Sequence, residues 1–285
     1  MRWVTTARGL RRWATHAFAA FGVGALLLQS YQAVWDRPLF AGHAGAVALV
    51  VAAASAIYGL VRTRPARAVV RDLRHPRCRI EVVAGDLFAQ DDAHLVVGFT
   101  DVFDTDVTDD RIVRADSVQG QFLRRVYAGD RARLDADLIR ALAGVPLEAT
   151  IAAEQKPLGK ARRYPVGTVA VLGEPRRLYF CVAYSAMGSN LVAQSSADML
   201  WHSLTRLWTA VHDRGQRQPV AMPIVGATLA RVDALDREAL LRLMLLSFVA
   251  AARDRLLTTR LRIVVRPAEF AALNRAELQA FLDSL

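Results

Sequence analysis

Two long uncharged segments in the first quarter of the chain restrict its fold most strongly. Neither residues 13–35 nor residues 39–61 contain an Asp, Glu, Lys or Arg, and only three residues separate the two segments. At about 1.5 Å per helical residue, each segment can cross a hydrocarbon core of roughly 30 Å. We therefore predict a transmembrane helical hairpin over residues 13–61. A signal peptide or a pair of buried globular helices are the alternatives, but a second long apolar segment so soon after the first is not typical of a signal peptide.

The positive charge of the chain is confined to its first 80 residues. The formal net charge is +10, and residues 1–80 hold twelve arginines but only two acidic residues, Asp36 and Asp72. The remainder is neutral overall and lacks the basic surface that a nucleic-acid backbone requires, so we expect no nucleic-acid partner. The arginines form a basic arm at residues 1–12 and an arginine-rich connector at residues 62–79. Because they flank both outer ends of the hairpin, the positive-inside rule predicts that both termini are cytoplasmic.

The arginine-rich connector has two interpretations. Residues 62–79 could form a basic collar against anionic lipid headgroups or a short amphipathic helix on the membrane surface.

Cys78 and Cys181 are too few and too far apart for a disulfide framework or a metal-ligand motif. We therefore expect buried or idle reduced thiols and no metal site, and we assign no cofactor.

From residue 80 onward, strand and helix patterns alternate. Such alternation predicts an α/β domain over residues 80–285 with a mostly parallel mixed sheet covered by helices on both faces. The predicted strands lie at residues 80–84, 94–99, 168–172, 178–184, 218–225 and 261–265. The predicted helices lie at residues 117–127, 130–142, 197–212, 237–251 and 268–285.

In a parallel sheet, ligands bind beyond the carboxyl ends of the strands. Three predicted loops meet there: residues 85–88, which include Asp86, the acidic loop at residues 100–106, and the segment PIVGATLA at residues 223–230. The small residues of the last loop would let backbone N–H groups approach a phosphate. A glycine at such a strand-to-helix turn is also common for purely structural reasons.

The order and spacing of three motifs resemble those of macro domains over residues 80–267. The motifs are GDL at residues 85–87, YPVGT at residues 164–168 and MPIVGAT at residues 222–228. The resemblance implies a three-layer α/β/α fold that binds ADP-ribose or a derivative. It also implies that Asp86 accepts a hydrogen bond from the adenine amino group, that residues 225–229 wrap the diphosphate and that residues 100–106 border the distal ribose. The candidate ligand-binding residues are Asp86, Leu87, Thr100, Asp101, Phe103, Asp104, Thr105, Tyr184, Val225, Gly226, Ala227, Thr228 and Leu229.

One departure from the family pattern favours binding over catalysis. Hydrolytic macro domains typically carry an Asn-rich segment after the second strand and then a glycine-rich loop. Residues 98–104 of this chain contain no Asn and no run of glycines, so we assign no catalytic residue. The acidic stretch from Asp101 to Asp110 is either a solvated loop or a source of carboxylates for a cationic group on the distal ribose; it could also select against a second phosphate.

The hairpin and the divergent macro domain together resemble the membrane effector of the Thoeris anti-phage system. That resemblance implies a bacterial inner-membrane protein whose functional partner is a TIR-domain enzyme. The enzyme makes an ADP-ribose-derived signal from NAD, and in this branch the implied signal is histidine–ADP-ribose. Signal binding is then implied to drive homo-oligomerisation of the hairpins and disruption of the lipid membrane. A membrane-anchored ADP-ribose hydrolase and an anchored reader of ADP-ribosylated proteins are the alternative functions.

Overall fold

The structure, a computed structural model, describes residues 7–35, 43–62, 68–74, 77–152, 154, 156–226 and 235–285. The chain divides into two compact units, residues 1–67 and residues 68–285. The helices are α1 (Ala7–Trp35), α2 (Ala44–Arg62), α3 (Val118–Val126), α4 (Arg131–Ala141), α5 (Ala197–Arg214), α6 (Arg237–Asp254), α7 (Pro267–Ala272) and α8 (Arg275–Ser284). The strands are β1 (Ala68–Leu73), β2 (Cys78–Ala84), β3 (His94–Thr100), β4 (Ala149–Thr150), β5 (Arg162–Arg163), β6 (Val169–Glu174), β7 (Arg177–Met187), β8 (Ala193–Gln194), β9 (Val220–Met222) and β10 (Arg260–Val265).

The first unit is an antiparallel pair of helices. The indole Nε1 of Trp13 donates to the carbonyl of Ala56 at 3.1 Å, which ties the start of α1 to the end of α2. A Cβ placed on Gly59 would lie 3.0 Å from the carbonyl oxygen of Trp13, so the helices approach as closely as glycine allows. Segments Trp13–Val34 and Gly45–Arg62 are long and apolar enough to cross a membrane. The predicted turn at residues 36–38 lies outside the described residues.

The second unit is built on a mixed, mostly parallel sheet, as predicted. The strand order is β1-β2-β10-β9-β3-β7-β6, with β8 paired to the end of β7, while β4 and β5 form a separate two-stranded sheet. Strands β2, β10, β9, β3 and β7 run parallel, whereas β1 and β6 are antiparallel at the two edges. The parallel strands therefore place their carboxyl ends along one edge of the sheet, where the loop after β2 and the loop after β3 begin.

Helices cover both faces and confirm the predicted three-layer α/β/α architecture. Successive residues of β3 alternate between the two cores: Val96 packs with α5 and α6, and Val97 packs with α3 and α4. This continuous burial is the pattern expected of a central strand in a parallel sheet. On one face, the Trp208 ring packs edge-on to Phe248 at 5.1 Å between centroids, which joins α5 to α6.

Two segments differ from the sequence predictions. Residues 68–73, expected to belong to the connector, form strand β1, which pairs with β2 along its whole length. The predicted single closing helix at residues 268–285 is two helices. The break occurs because Leu273 is extended and the Asn274 side chain caps the next helix by accepting from the backbone N–H of Glu277.

A buried histidine joins β3 to its neighbours. His94 is 1% exposed; its Nδ1 accepts from the backbone N–H of Leu178 at 3.0 Å, and its Nε2 lies 3.1 Å from the carbonyl of Gly215. These contacts require the neutral tautomer with the proton on Nε2. Burial lowers the pKa of His94 below its ordinary value of 6.5, despite the opposing hydrogen bond to Gly215.

His94 should make the stability of the α/β/α unit depend on pH. The unfolded chain takes up a proton near pH 6.5 and the folded chain only at lower pH, so the free energy of unfolding should fall as the pH drops below 6.5. Urea unfolding of the full chain in detergent, followed by tryptophan fluorescence, measures this decrease between pH 7.5 and pH 5.5, conditions chosen to lie about one unit either side of that value. His94→Gln should be less stable at pH 7.5 and should show a weaker decrease. An identical decrease in both chains would contradict the prediction.

Candidate functional site

A cleft runs along the carboxyl ends of the parallel strands. Its outer part lies beside the ends of β2 and β10. Its inner part lies beside the ends of β3 and β7. Four residues line both parts, so the two parts adjoin each other: Ser117, Val118, Pro223 and Ile224. We call these two parts the outer cleft and the inner chamber.

Asp86 presents a partly exposed carboxylate to the outer cleft. One oxygen accepts from the backbone N–H of Phe88 at 3.0 Å, and the other pairs with Arg125 at 2.6 Å. Burial raises the pKa of Asp86, but the hydrogen bonds from Arg125 and Phe88 and the positive charge of Arg125 outweigh it, so the pKa lies below its ordinary value. The carboxylate is therefore ionised at neutral pH. The Arg125 guanidinium lies over the Phe88 ring, 5.1 Å from its centroid, which restricts the orientation of the pair.

The inner chamber is shaped by the approach of Tyr184 to β3. A Cβ placed on Gly98 would lie 2.5 Å from Cε1 of Tyr184 and 3.2 Å from Cγ1 of Val225, so only glycine leaves room for this ring. Burial raises the pKa of Tyr184 to about 12, although a hydrogen bond with the backbone of Gly226 opposes the increase. The phenol is therefore neutral and is held against the start of the predicted diphosphate loop.

Asp101 is buried beneath the chamber instead of lining it. Its carboxylate accepts from the backbone N–H of Met187 at 2.9 Å and pairs with Arg163. Arg163 also donates to the carbonyl of Met187 at 2.7 Å. Burial raises the pKa of Asp101, while the Met187 hydrogen bond and the charge of Arg163 oppose it. This ion pair holds the end of β7 against the end of β3.

Asp104 forms a second buried ion pair below the acidic loop. The ammonium of Lys156 lies 2.8 Å from one carboxylate oxygen of Asp104, and both side chains are only 1% exposed. The same ammonium donates to the carbonyls of Leu158 and Lys160, so all three of its donors are used. The segment around Lys156 is thus attached to the loop after β3.

The structure brings some of the predicted ligand-binding residues into one cleft and places others elsewhere. Asp86 and Leu87 line the outer cleft, and Thr100, Tyr184, Val225 and Gly226 line the inner chamber. Four predicted residues are buried beside the cleft and do not line it: Asp101, Phe103, Asp104 and Thr105. Ala227, Thr228 and Leu229 lie outside the described residues.

None of the three sequence interpretations of the acidic stretch describes Asp101 and Asp104. They are not solvated, and their charges are already compensated by Arg163 and Lys156. Thr105 donates to Asp135 at 2.6 Å, and Phe103 stacks on Phe99 with centroids 5.5 Å apart. The geometry gives these side chains structural contacts and leaves none of them free to grip a distal amine.

Sequence reasoning did not assign the start of α3 to the cleft. Ser117 caps this helix by accepting from the backbone N–H of Gly120 at 3.0 Å, and Ser117 and Val118 lie between the two parts of the cleft. The capping serine was recognisable in the sequence, but its position beside the strand ends depends on how α3 packs on β3. Ser185 also lines the chamber and was not predicted, because it lies within a long buried strand.

Comparisons with known proteins identify relatives of the α/β/α unit. A sequence profile of the family described as Thoeris protein ThsA, Macro domain, matches residues 80–266. The Thoeris protein ThsA of Bacillus amyloliquefaciens is 27% identical over 174 residues, which make up 59% of this chain and 56% of that protein. The alignment therefore spans little more than half of that relative.

Solved macrodomains share the fold at low sequence identity. A variant of the Oceanobacillus iheyensis macrodomain superposes with a TM-score of 0.51 and 10% identity, covering 76% of this chain and 99% of that one. A second variant of that macrodomain, solved with ADPR, has a TM-score of 0.43 and 10% identity, and covers 76% of this chain and 99% of that one. The first of these superpositions shows the macro-domain fold for the α/β/α unit.

Lys156 should be essential to the stability of this unit. Lys156→Met leaves the Asp104 carboxylate buried without its counter-charge, and such a loss typically costs about 3–5 kcal/mol. Urea unfolding of the full chain measures the difference. Replacing both partners, with Asp104→Leu added, should recover part of the loss, because no unpaired charge then remains buried. Arg140→Met removes the exposed arginine of an ion pair with Asp137 and is the control for losing a charge at the surface. A loss no larger than that of Arg140→Met would contradict the prediction.

Proposed function

Because the chain belongs to the Thoeris ThsA macro-domain family, we propose that its α/β/α unit senses an ADP-ribose-derived nucleotide and that its helical hairpin is the membrane effector. The observation that carries this proposal is the cleft at the strand ends, whose two adjoining parts share four lining residues and whose outer part presents the ionised carboxylate of Asp86. An ionised carboxylate accepts hydrogen bonds from an exocyclic amine such as that of adenine.

The cleft offers suitable groups along the length of such a nucleotide. Asp86 would bind the adenine amino group in the outer cleft. Val118 at the start of α3 lines both parts of the cleft, and Val225 and Gly226 line the inner chamber; a helix N-terminus and backbone N–H groups both favour a diphosphate. The distal sugar would then enter the inner chamber. In this arrangement, a neutral domain binds an anionic ligand through backbone dipoles.

The residues of the cleft support sensing in preference to hydrolysis. The described residues that line it include no His, Cys or Asn, and their acidic side chains are Asp86 and Glu269. Each carboxylate already has a cationic partner: Asp86 pairs with Arg125, and Glu269 pairs with Arg237 at 3.0 Å. Turnover of O-acetyl-ADP-ribose or of ADP-ribosylated protein by the chain would favour the hydrolase alternative.

In the effector mechanism that we propose, the two spans cross the bacterial inner membrane with both termini and the macro domain in the cytoplasm. A TIR-domain protein supplies the signal, which we expect to be histidine–ADP-ribose. Binding favours an oligomeric arrangement in which the hairpins associate through their small residues and disrupt the lipid bilayer. The signal can do this only if it binds the assembled state more tightly than the unassembled state.

Asp86 should control nucleotide affinity. Asp86→Asn keeps an acceptor for the Phe88 N–H but removes the charge, and losing a charge-assisted hydrogen bond of about 1.5–3 kcal/mol should weaken binding roughly ten- to a hundredfold. Calorimetry of the full chain with ADP-ribose and with its histidine conjugate measures the change. Asp91→Asn removes a carboxylate that is 85% exposed and lies outside the cleft, so it should leave the affinity unchanged. Equal affinities for wild type and Asp86→Asn would remove the support for this ligand orientation.

Membrane disruption should require the ligand. Liposomes that contain the full chain and an enclosed dye should leak when the histidine conjugate is added on the side of the macro domain, and the Asp86→Asn chain should need a correspondingly higher concentration. The Asp91→Asn chain serves as the matched control. Leakage at the same rate without any nucleotide would refute the sensing mechanism while leaving the membrane anchor intact.

A further inference from the structure

We infer that the face of α1 that carries Gln29 and Gln32 is the surface through which copies of this chain associate in the membrane, with the carboxamides of neighbouring copies hydrogen-bonded to each other. We call it the glutamine face and define it by Gly22, Ala25, Gln29 and Gln32, which are all exposed. This inference rests on the proposed membrane hairpin and adds to it the residues that form the contact between copies.

The glutamine face is separate from the side of α1 that packs on α2. On the α2 side, a Cβ placed on Gly24 would lie 3.1 Å from Cγ1 of Val51, and the Trp13 indole donates to α2. Among the residues that the structure describes, a Cβ placed on Gly22 would meet no atom of a neighbouring element within 4 Å. Packing inside the hairpin therefore explains Gly24 and leaves Gly22 open.

Gln29 lies at a depth where lipid cannot satisfy its side chain. It is about 8 Å along the helix from the middle of the segment Trp13–Val34, and a hydrocarbon core extends about 15 Å to either side of its middle. Within the described part of the chain, neither Gln29 nor Gln32 has a hydrogen-bond partner for its carboxamide. A carboxamide in hydrocarbon is unfavourable without such a partner.

A polar side chain nearer the start of α1 is satisfied within its own helix. The hydroxyl of Thr15 donates to the carbonyl of Arg11 at 2.9 Å, so this residue needs no group from outside. The two glutamines have no such internal bond, and the surface that they share is not covered by α2. Their partner must therefore come from a second molecule in the membrane.

A second copy of the chain is the partner that fits this face. Copies inserted in the same orientation are related by an axis perpendicular to the membrane, so equivalent residues lie at the same depth and the Gln29 side chains of neighbouring copies meet. A carboxamide both donates and accepts, so two identical carboxamides satisfy each other. Such side chains hydrogen-bond across membrane helices, and glycine at the contact lets the helices approach closely.

The spacing of the glutamine face suits a contact between parallel helices. Its four members follow one another at steps of three, four and three residues, which is the spacing that keeps a seam facing its partner along two crossing helices. Gly22 lies near the middle of the span and Gln29 two turns further on, so the close approach and the hydrogen bond belong to one contact. Leu27 lies about 200° around the helix from Gln29 and is 65% exposed, as a lipid-facing side chain would be.

Cross-linking of the full chain in liposomes tests this inference. Cys78 and Cys181 are buried, so a cysteine introduced on α1 is the accessible thiol. Under mild oxidation, Gln29→Cys should give a disulfide-linked dimer, because the equivalent residues of two copies face each other. Leu27→Cys is the control at a similar depth on the opposite side of α1, and it should give little dimer, since a disulfide needs Cα atoms within about 7 Å.

Running each reaction with and without the histidine conjugate of ADP-ribose separates the inference from the proposed function. More dimer from Gln29→Cys than from Leu27→Cys supports the glutamine face, and a yield that ignores the nucleotide argues against the proposed sensing alone. Equal yields from the two variants would show that the inference is wrong. No dimer from Gln29→Cys would also overturn it and would mean that lipid or another membrane protein covers this face. Nucleotide-dependent leakage by the wild-type chain would still support the proposed function in both of these cases.

Removing the carboxamides provides a second, independent measurement. The double variant Gln29→Leu, Gln32→Leu keeps the apolar span and should weaken association between copies about tenfold, as measured by Förster transfer between labelled chains in liposomes. Leu26→Ala and Leu27→Ala, on the lipid-facing side, are the matched controls and should leave association unchanged. Association of the double variant at the wild-type level would contradict the inference.

Discussion

The carboxylate of Asp101 is the interaction on which the cleft depends. It follows the central strand β3 directly, is 1% exposed, and joins the end of β3 to the end of β7 through Met187 and Arg163. Burying one charge is unfavourable unless opposite charge and hydrogen bonds compensate it, and both are present here. The Asp101 backbone contributes as well, because its N–H bonds to Ser185 and its carbonyl accepts from Tyr164. A few polar contacts made by the residue directly after β3 therefore fix the walls of the inner chamber.

These contacts explain which parts of the site could be predicted from the sequence. Asp86 was predictable because a short β-branched strand precedes it and a turn follows, which is local information. The roles of Asp101 and Asp104 were not, because their partners Arg163 and Lys156 lie more than fifty residues further along the chain. An acidic stretch has the same local pattern whether it is solvated or buried. Only the tertiary contacts distinguish the two cases.

The difference between local information and tertiary contacts also explains which parts of the fold were predictable. Helices with a polar N-cap and a periodic apolar face, such as α5, were predicted almost to the residue, since caps and periodicity are local. Strand β1 was missed because its arginine-rich surroundings resemble a membrane-proximal connector. Its pairing with β2 becomes favourable only once the sheet exists. Packing against α8 adds to it, including the bond from Gln279 to the carbonyl of Val70 and the ion pair between Arg71 and Asp283.

In the signalling that we propose, strand β1 is the part of the sheet through which a ligand in the cleft would influence the hairpin. The cleft lies within residues 68–285 and the hairpin within residues 1–67, so the chain that leaves α2 at Arg62 and enters β1 at Ala68 is the covalent route between them. Ala68 pairs with Val83, three residues before Asp86, which means that the chain enters the sheet at the cleft end of β2.

An edge strand bonds to a neighbour on one side only, so its position can change at lower cost than that of a central strand. A nucleotide that binds equally well to two arrangements of this edge would leave the hairpin unaffected, whatever its affinity. The proposed signalling therefore requires that the contacts around Asp86 differ between those arrangements. Val83 pairs with Ala68 of β1 and lies three residues before Asp86, so we propose that a change in the position of β1 is what alters these contacts.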